Sequence, residues 1–186
     1  CVKRIGCMSG PNLAKELSSH HPAATVIASK FDEIIREGEN AIRSKRLQVY
    51  GNHDIYAVEL AGVLKNSMAL AAGALGGLGY GQNAMAFLIT RGLGEIIRLA
   101  TAMGANRQAF LGLAGIGDLI ATCTSPLSRN YTVGARLAKG ETLEQIIASS
   151  TEVAEGIKTV SISKKIADST GIRLPIIQNI YKVLFE

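Results

Sequence analysis

Residues 57–91 read AVELAGVLKNSMALAAGALGGLGYGQNAMAFLITR. Between Glu59 and Arg91 this stretch holds one charged residue, Lys65. Val58, Ala61, Gly62, Met68, Ala69 and Ala72 stand one and two helical turns away from it. All are apolar or small, so a helix puts the ammonium on a face with no carboxylate of its own. Two readings stay open: a lysine whose stem packs while its head reaches water, or a site lysine tuned by its surroundings. The spacing predicts a helix over 57–73, then a glycine-rich bend, GALGGLGYGQNA (73–84), between two closely packed helices, with Asn83 as cap. Gly79 to Ala84 formally match G-x-G-x-x-A. That fingerprint works only between a strand and a helix, and here a helix precedes it.

With 47% hydrophobic and 19% charged residues, the 186-residue chain can bury a sizeable core and is not disordered. The formal charge of +5 suits an anionic small molecule. No basic run carries interleaved aromatics, which argues against nucleic acid. Cys1, Cys7 and Cys123 show no metal-ligand spacing, so no metal site is expected. Their odd number, with no secretory segment in view, favours a reducing, cytoplasmic compartment. Residues 66–90 are uncharged, but the glycines between 73 and 81, with Gln82 and Asn83, break that run, and no membrane span is expected. The start at Cys1 and the end inside an apolar-periodic stretch are read as cut ends.

Working outward to the N-terminus, residues 1–8 read as a buried strand and SGPNLAKEL (9–17) as a turn into a helix. Gly10 permits close backbone approach, and Pro11 suits a first turn. A helix start of this kind is either an anion site or an ordinary strand-to-helix turn. His20 and His21 precede Pro22 in a polar loop with no third metal ligand in view. ATVIAS (24–29) and LQVYG (47–51) read as strands around an amphipathic helix over 31–46. Strand, helix, strand, helix, strand is the pattern of the last units of a doubly wound sheet.

Towards the C-terminus, a helix is expected over 84–103, closed by Gly104. Its Arg91, Glu95 and Arg98 form one polar stripe, read as a solvated face, an Arg91–Glu95 contact or a subunit contact. Asn106 is expected to cap a helix through Leu113. GIGDLIATCTSPLSRN (115–130) is the second chemical stretch. Asp118 sits among apolar residues and needs a partner, for which Lys65 is the candidate. Ser128, Arg129 and Asn130 supply a hydroxyl, a guanidinium fork and an amide. That set suits a phosphate, or equally the start of the helix expected over 126–139. Thr142-x-x-Gln145 is a capping-box pattern. Glu155 is placed in a turn before a helix ending near Gly171. Pro175 opens a last helix with Ile176, Ile177, Ile180, Tyr181 and Leu184 on its apolar side.

The texts LKN (64–66), ITRGLGE (89–95), GLAGIGDLIATC (112–123) and SRN (128–130), with SGPNLAKEL and VAEG (153–156), resemble NAD(P)-dependent glycerol-3-phosphate dehydrogenase in order and separation. The resemblance covers nearly the whole chain. It implies a mainly α fold: residues 1–55 as the end of a Rossmann-type α/β domain, and residues 56–186 as an all-helical catalytic domain. It implies NAD or NADP as cofactor and a small phosphorylated substrate, with dihydroxyacetone phosphate and sn-glycerol 3-phosphate interconverted in glycerolipid precursor synthesis. A second copy of the chain is a candidate partner.

By the same resemblance Lys65 and Asp118 are catalytic, with Lys65 donating the proton and Asp118 orienting it or bonding the substrate hydroxyl. Gly10, Asn12, Lys65, Asp118, Ser128, Arg129 and Asn130 bind substrate; Ala14, Arg129, Val153 and Glu155 lie near the nucleotide. Asn66 points about 100° round the helix from Lys65 and need not share the site. The family's glycine fingerprint is not in this sequence, so residues 1–186 alone are expected to turn over little. Two rival readings stand beside this one: a related Rossmann-plus-helical hydroxyacid dehydrogenase, and a non-catalytic helical dimerisation module.

Overall fold

The computed structural model describes residues 4–150 and 154–186, and they fold into a mainly helical protein with one small sheet. Cys1 and Val153 lie outside the described residues. The chain divides into two compact units: residues 1–62 with 100–121, and residues 63–99 with 122–186.

The first unit holds a three-stranded sheet in the order β1 (Gly6–Ser9), β2 (Ala23–Ser29), β3 (Leu47–Asn52). β2 and β3 are parallel, joined by α2 (Asp32–Ile42), as the sequence predicts. β1 is antiparallel to β2, with Gly6 opposite Ser29 and Ser9 opposite Val26, which departs from the doubly wound pattern. Helix α1 (Ala14–Ser18) lies in the connection between them. Val26 and Ala28 of β2 pack with Val58 and Ala114 to form this unit's core.

Helix α3 runs from Ile55 to Gly77, longer than predicted, and crosses the boundary between the units. By length and composition it could span a membrane, but 56% of its most apolar window is buried inside the protein, as in a core helix. The bend is only Leu78–Gly81, with Gly79 at φ 77°. Helix α4 (Gln82–Ala102) has already begun at Asn83, which is therefore not its cap. Gly73, Gly76 and Gly77 are not bend residues; they belong to a helix crossing. A Cβ on Gly73 would lie 1.8 Å from the Tyr131 carbonyl oxygen, and one on Gly134 would lie 1.9 Å from that of Leu70. Only glycine allows α3 and α6 (Arg129–Ala138) to approach backbone to backbone.

In the first unit, Asn106 caps a 3₁₀ turn (Arg107–Leu111), not a helix through Leu113. A π-helical turn (Leu113–Gly117) follows and leads into α5 (Asp118–Thr124). The second unit continues with α6, then α7 (Leu143–Ser149), opened by the predicted Thr142/Gln145 capping box. α8 (Glu155–Thr170) ends at Gly171 with φ 71°, and α9 (Pro175–Phe185) starts at its proline. Leu70, Val133, Ile146, Val160, Ile180 and Leu184 form this unit's core.

In the Arg91–Glu95–Arg98 stripe the two arginines are exposed, but Glu95 is not part of a solvated face. Glu95 is 2% exposed, and its carboxylate accepts the Ile176 and Ile177 N–H groups at 2.8 and 3.2 Å. It caps α9 from 81 residues away.

Candidate functional site

The first unit gathers Gly10, Asn12, Ala14 and Asp118. β1 ends at Ser9, and Gly10 turns the chain with φ 153°. A side chain there would be strained, and its Cβ would lie 3.1 Å from Thr25 Cα and 3.2 Å from Asn12 Nδ2. Asn12 Nδ2 donates to Thr25 Oγ1 at 2.8 Å, and Thr25 Oγ1 donates to the Ser9 carbonyl at 3.2 Å. Asn12 Oδ1 is buried and has no hydrogen-bond partner among the described residues. An acceptor withdrawn from water is costly unless a donor reaches it, and this one is placed to take a ligand N–H or O–H.

Ala14 is exposed at the first position of α1. Asp118 is 3% exposed and opens α5. The π turn before it is closely packed: a Cβ on Gly115 would lie 2.2 Å from the Phe110 carbonyl oxygen. A Cβ on Gly117 would meet Pro11 Cγ at 3.9 Å. The residue before Asp118 therefore lies beside the residue before Asn12, although they are far apart in sequence.

Cys7, also in this unit, is pushed up to about 11, first by burial and then by the Glu59 carboxylate. It is a neutral thiol near pH 7 and no nucleophile.

The second unit contains Lys65, Ser128, Arg129, Asn130 and Glu155. Lys65 is half-buried on α3, with Met68 and Ala69 fully buried on the turn that follows. The helix expected from residue 126 begins at Arg129, because Ser128 is its N-cap: Ser128 Oγ accepts the Tyr131 N–H at 3.4 Å. Its own O–H remains available as a donor. Arg129 is exposed at the first helical position. Asn130, 7% exposed, accepts the Gly156 N–H through Oδ1 at 2.9 Å. Within the SRN cluster, Ser128 and Asn130 hold helix starts, and Arg129 is exposed.

Glu155 is the first residue of α8, not a turn residue. Its Oε2 accepts from Asn66 Nδ2 at 3.5 Å. A Cβ on Gly156 would lie 2.6 Å from both Asn130 Oδ1 and the Asn66 carbonyl oxygen. Asn66, Asn130 and Glu155 therefore form one cluster, sealed by a glycine. Asn66 is the residue that sequence reasoning set aside. The helical wheel places it off the Lys65 face, but it serves a different neighbour, and its place in the LKN text was the one signal for it. Thr25, fully buried in a β-rich run, was missed in the same way. No group of three or more His, Cys, Asp or Glu among the described residues is placed to hold a metal ion.

The class follows from solved structures with this fold. The chain matches glycerol-3-phosphate dehydrogenase from Coxiella burnetii with a TM-score of 0.91 and 34% identity, covering 97% of this chain and 55% of that one. It matches the enzyme from Saccharomyces cerevisiae with a TM-score of 0.84 and 26% identity, covering 96% and 55%. Among curated proteins, glycerol-3-phosphate dehydrogenase (NAD(P)+) of Teredinibacter turnerae is 50% identical over 183 residues, covering 98% of this chain and 54% of that protein. The model for the NAD-dependent glycerol-3-phosphate dehydrogenase C-terminus matches residues 54–186, and the chain belongs to that family. It spans about half the length of the curated relatives it matches.

Proposed function

We propose that this chain is the part of a glycerol-3-phosphate dehydrogenase that supplies the catalytic side chains, interconverting dihydroxyacetone phosphate and sn-glycerol 3-phosphate for glycerolipid precursors. The observation that carries the reading is 50% identity across 98% of the chain to a protein of that name.

When bound, NAD(H) or NADP(H) supplies or accepts the hydride at C2. The buried, partnerless Asn12 Oδ1 and the Cβ-free backbone at Gly10 fit a ligand that brings a donor to the β1–α1 junction. Ala14 in the first unit, Arg129 and Glu155 in the second, and Val153 are the residues assigned to the nucleotide. The remaining roles belong to protein side chains. As charge builds on the C2 oxygen, the Lys65 ammonium donates the proton; in the reverse direction the neutral amine takes it. Asp118, buried at the start of α5, is assigned to orient the reacting groups. Arg129 offers a fork to the phosphate, Ser128 a hydroxyl, and Asn130 the N–H₂ of an amide whose oxygen is already held by Gly156. Gly10 and Asn12 add support. The reaction is assigned to the cytoplasm, and a second copy of the chain is the expected partner.

The test is NAD(P)H oxidation by the natural full-length protein with dihydroxyacetone phosphate and a panel of 2-keto acids. Preferred turnover of dihydroxyacetone phosphate is expected. Preference for a keto acid would replace the reading with the hydroxyacid dehydrogenase alternative, and inactivity with either nucleotide would replace it with the dimerisation module.

A further inference from the structure

Thr25 is fully buried in β2, flanked by Ala23, Ala24, Val26, Ile27 and Ala28. Valine would fill the same space and suits a strand equally, so the hydroxyl needs a reason. A buried hydroxyl is costly unless it is bonded, and this one makes two bonds. It donates to the Ser9 carbonyl at 3.2 Å and accepts from Asn12 Nδ2 at 2.8 Å.

These bonds set the polarity of the amide. A hydroxyl has one proton, and that of Thr25 goes to Ser9. Towards Asn12 it can then only accept, so it takes the Nδ2 edge and turns the Oδ1 edge away. Gly10 leaves room for the arrangement, since a Cβ there would lie 3.2 Å from Asn12 Nδ2. Asn12 Oδ1 is left as a buried acceptor of fixed orientation, with no partner among the described residues. Bonds made only for stability would leave no such atom unspent.

An oriented acceptor discriminates among the groups of the proposed substrates. The phosphate dianion and the C2 carbonyl of dihydroxyacetone phosphate only accept, so Oδ1 can bond neither. The primary hydroxyl is the one O–H which that substrate has, and sn-glycerol 3-phosphate keeps it.

We propose, on the dehydrogenase reading, that Thr25 is a positioning residue: it holds the Asn12 amide with Oδ1 towards the primary hydroxyl of the substrate, and so makes that hydroxyl a requirement.

The test measures kcat/KM of the natural full-length protein for dihydroxyacetone phosphate and for hydroxyacetone phosphate, which has hydrogen in place of the primary hydroxyl. The ratio of the two, taken in one preparation, does not depend on the fraction folded. Wild type should favour dihydroxyacetone phosphate by about 10²-fold or more. Thr25→Val and Thr25→Ala should each lower that ratio about tenfold, the scale of one hydrogen bond, and Thr25→Ser, which keeps the hydroxyl, should preserve it. In an Asn12→Ala background, Thr25→Val should change the ratio no further. A ratio unmoved by Thr25→Val and Thr25→Ala, or moved as much on top of Asn12→Ala, would overturn the positioning role. A loss shared by both substrates, with a raised KM for NAD(P)H, would overturn it in favour of the nicotinamide carboxamide as the donor to Oδ1. A wild-type ratio near one would overturn the assignment to the hydroxyl. No turnover of either substrate by wild type would remove the dehydrogenase reading itself, and the assignment to the hydroxyl with it.

Discussion

Two helix starts in the second unit are held by side chains from elsewhere in the sequence, and they are held differently. At α9 the Glu95 carboxylate takes two N–H groups, from Ile176 and Ile177. At α8 the Asn130 amide takes one, from Gly156. Proline explains the first case. Pro175 has no N–H to offer, so the first free donors of α9 stand at 176 and 177, and a carboxylate there satisfies both and meets the positive end of the helix. Close approach explains the second. Gly156 has no Cβ, so the Asn130 side chain and the Asn66 carbonyl both press against the backbone. The difference separates stability from function. Glu95's hydrogen bonds go to Ile176 and Ile177, neither of them a candidate site residue. The Asn130 cap shares its ground with Asn66 and Glu155, so disturbing it should affect both.

The largest effect on stability is expected from Glu95→Ala. It strips two donors at once, one of them on the fully buried Ile177, and should cost about 3–4 kcal/mol in urea unfolding of the natural protein. Turnover per folded molecule should hold; a specific loss of kcat would break the separation. Gly156→Ala comes next, at about 2–3 kcal/mol, because one clashing atom is the Asn66 backbone carbonyl, which cannot swing away. Activity should fall with it. Asn130→Ala should cost about 1–2 kcal/mol for the lost bond. Asn130→Asp keeps the acceptor and should restore most of that stability, but it removes the N–H₂. If substrate KM also returned to the wild-type value, the amide would be a cap and nothing more. Thr142→Ala removes a local capping box remote from both starts and should cost about 1 kcal/mol with kinetics unchanged.

The same contrast shows what could be read from the sequence. The Thr142/Gln145 box, the Pro175 start, and the Gly104 and Gly171 stops were legible because each is settled by residues within a turn or two. The helices were legible one by one from periodicity and the β2–α2–β3 unit from its alternation, while the mainly α fold class came from the family resemblance. Glu95 was misread because its partners lie about eighty residues on, and i, i+4 spacing says only which side chains share a helix face. The glycines at 73–77 were misread as a bend because a glycine needed by a helix crossing looks the same as one needed by a turn. β1 runs antiparallel to β2, a direction that the order of elements does not settle. In the candidate site, Ser128, Asn130 and Asp118 were visible as polar residues in apolar or helix-start settings. Asn66 and Thr25 were not, since each acts through a neighbour that only the fold supplies.

The account turns on Lys65, the one charged residue between Glu59 and Arg91. The most direct measurement compares kcat and KM for dihydroxyacetone phosphate in the natural full-length protein and its Lys65→Ala variant, with folding checked by circular dichroism. The account predicts a fall in kcat of about 10²-fold or more, the scale of a lost proton donor, with KM changed far less. An equal kcat in both proteins would contradict it and leave Lys65 as a packed lysine with its head in water.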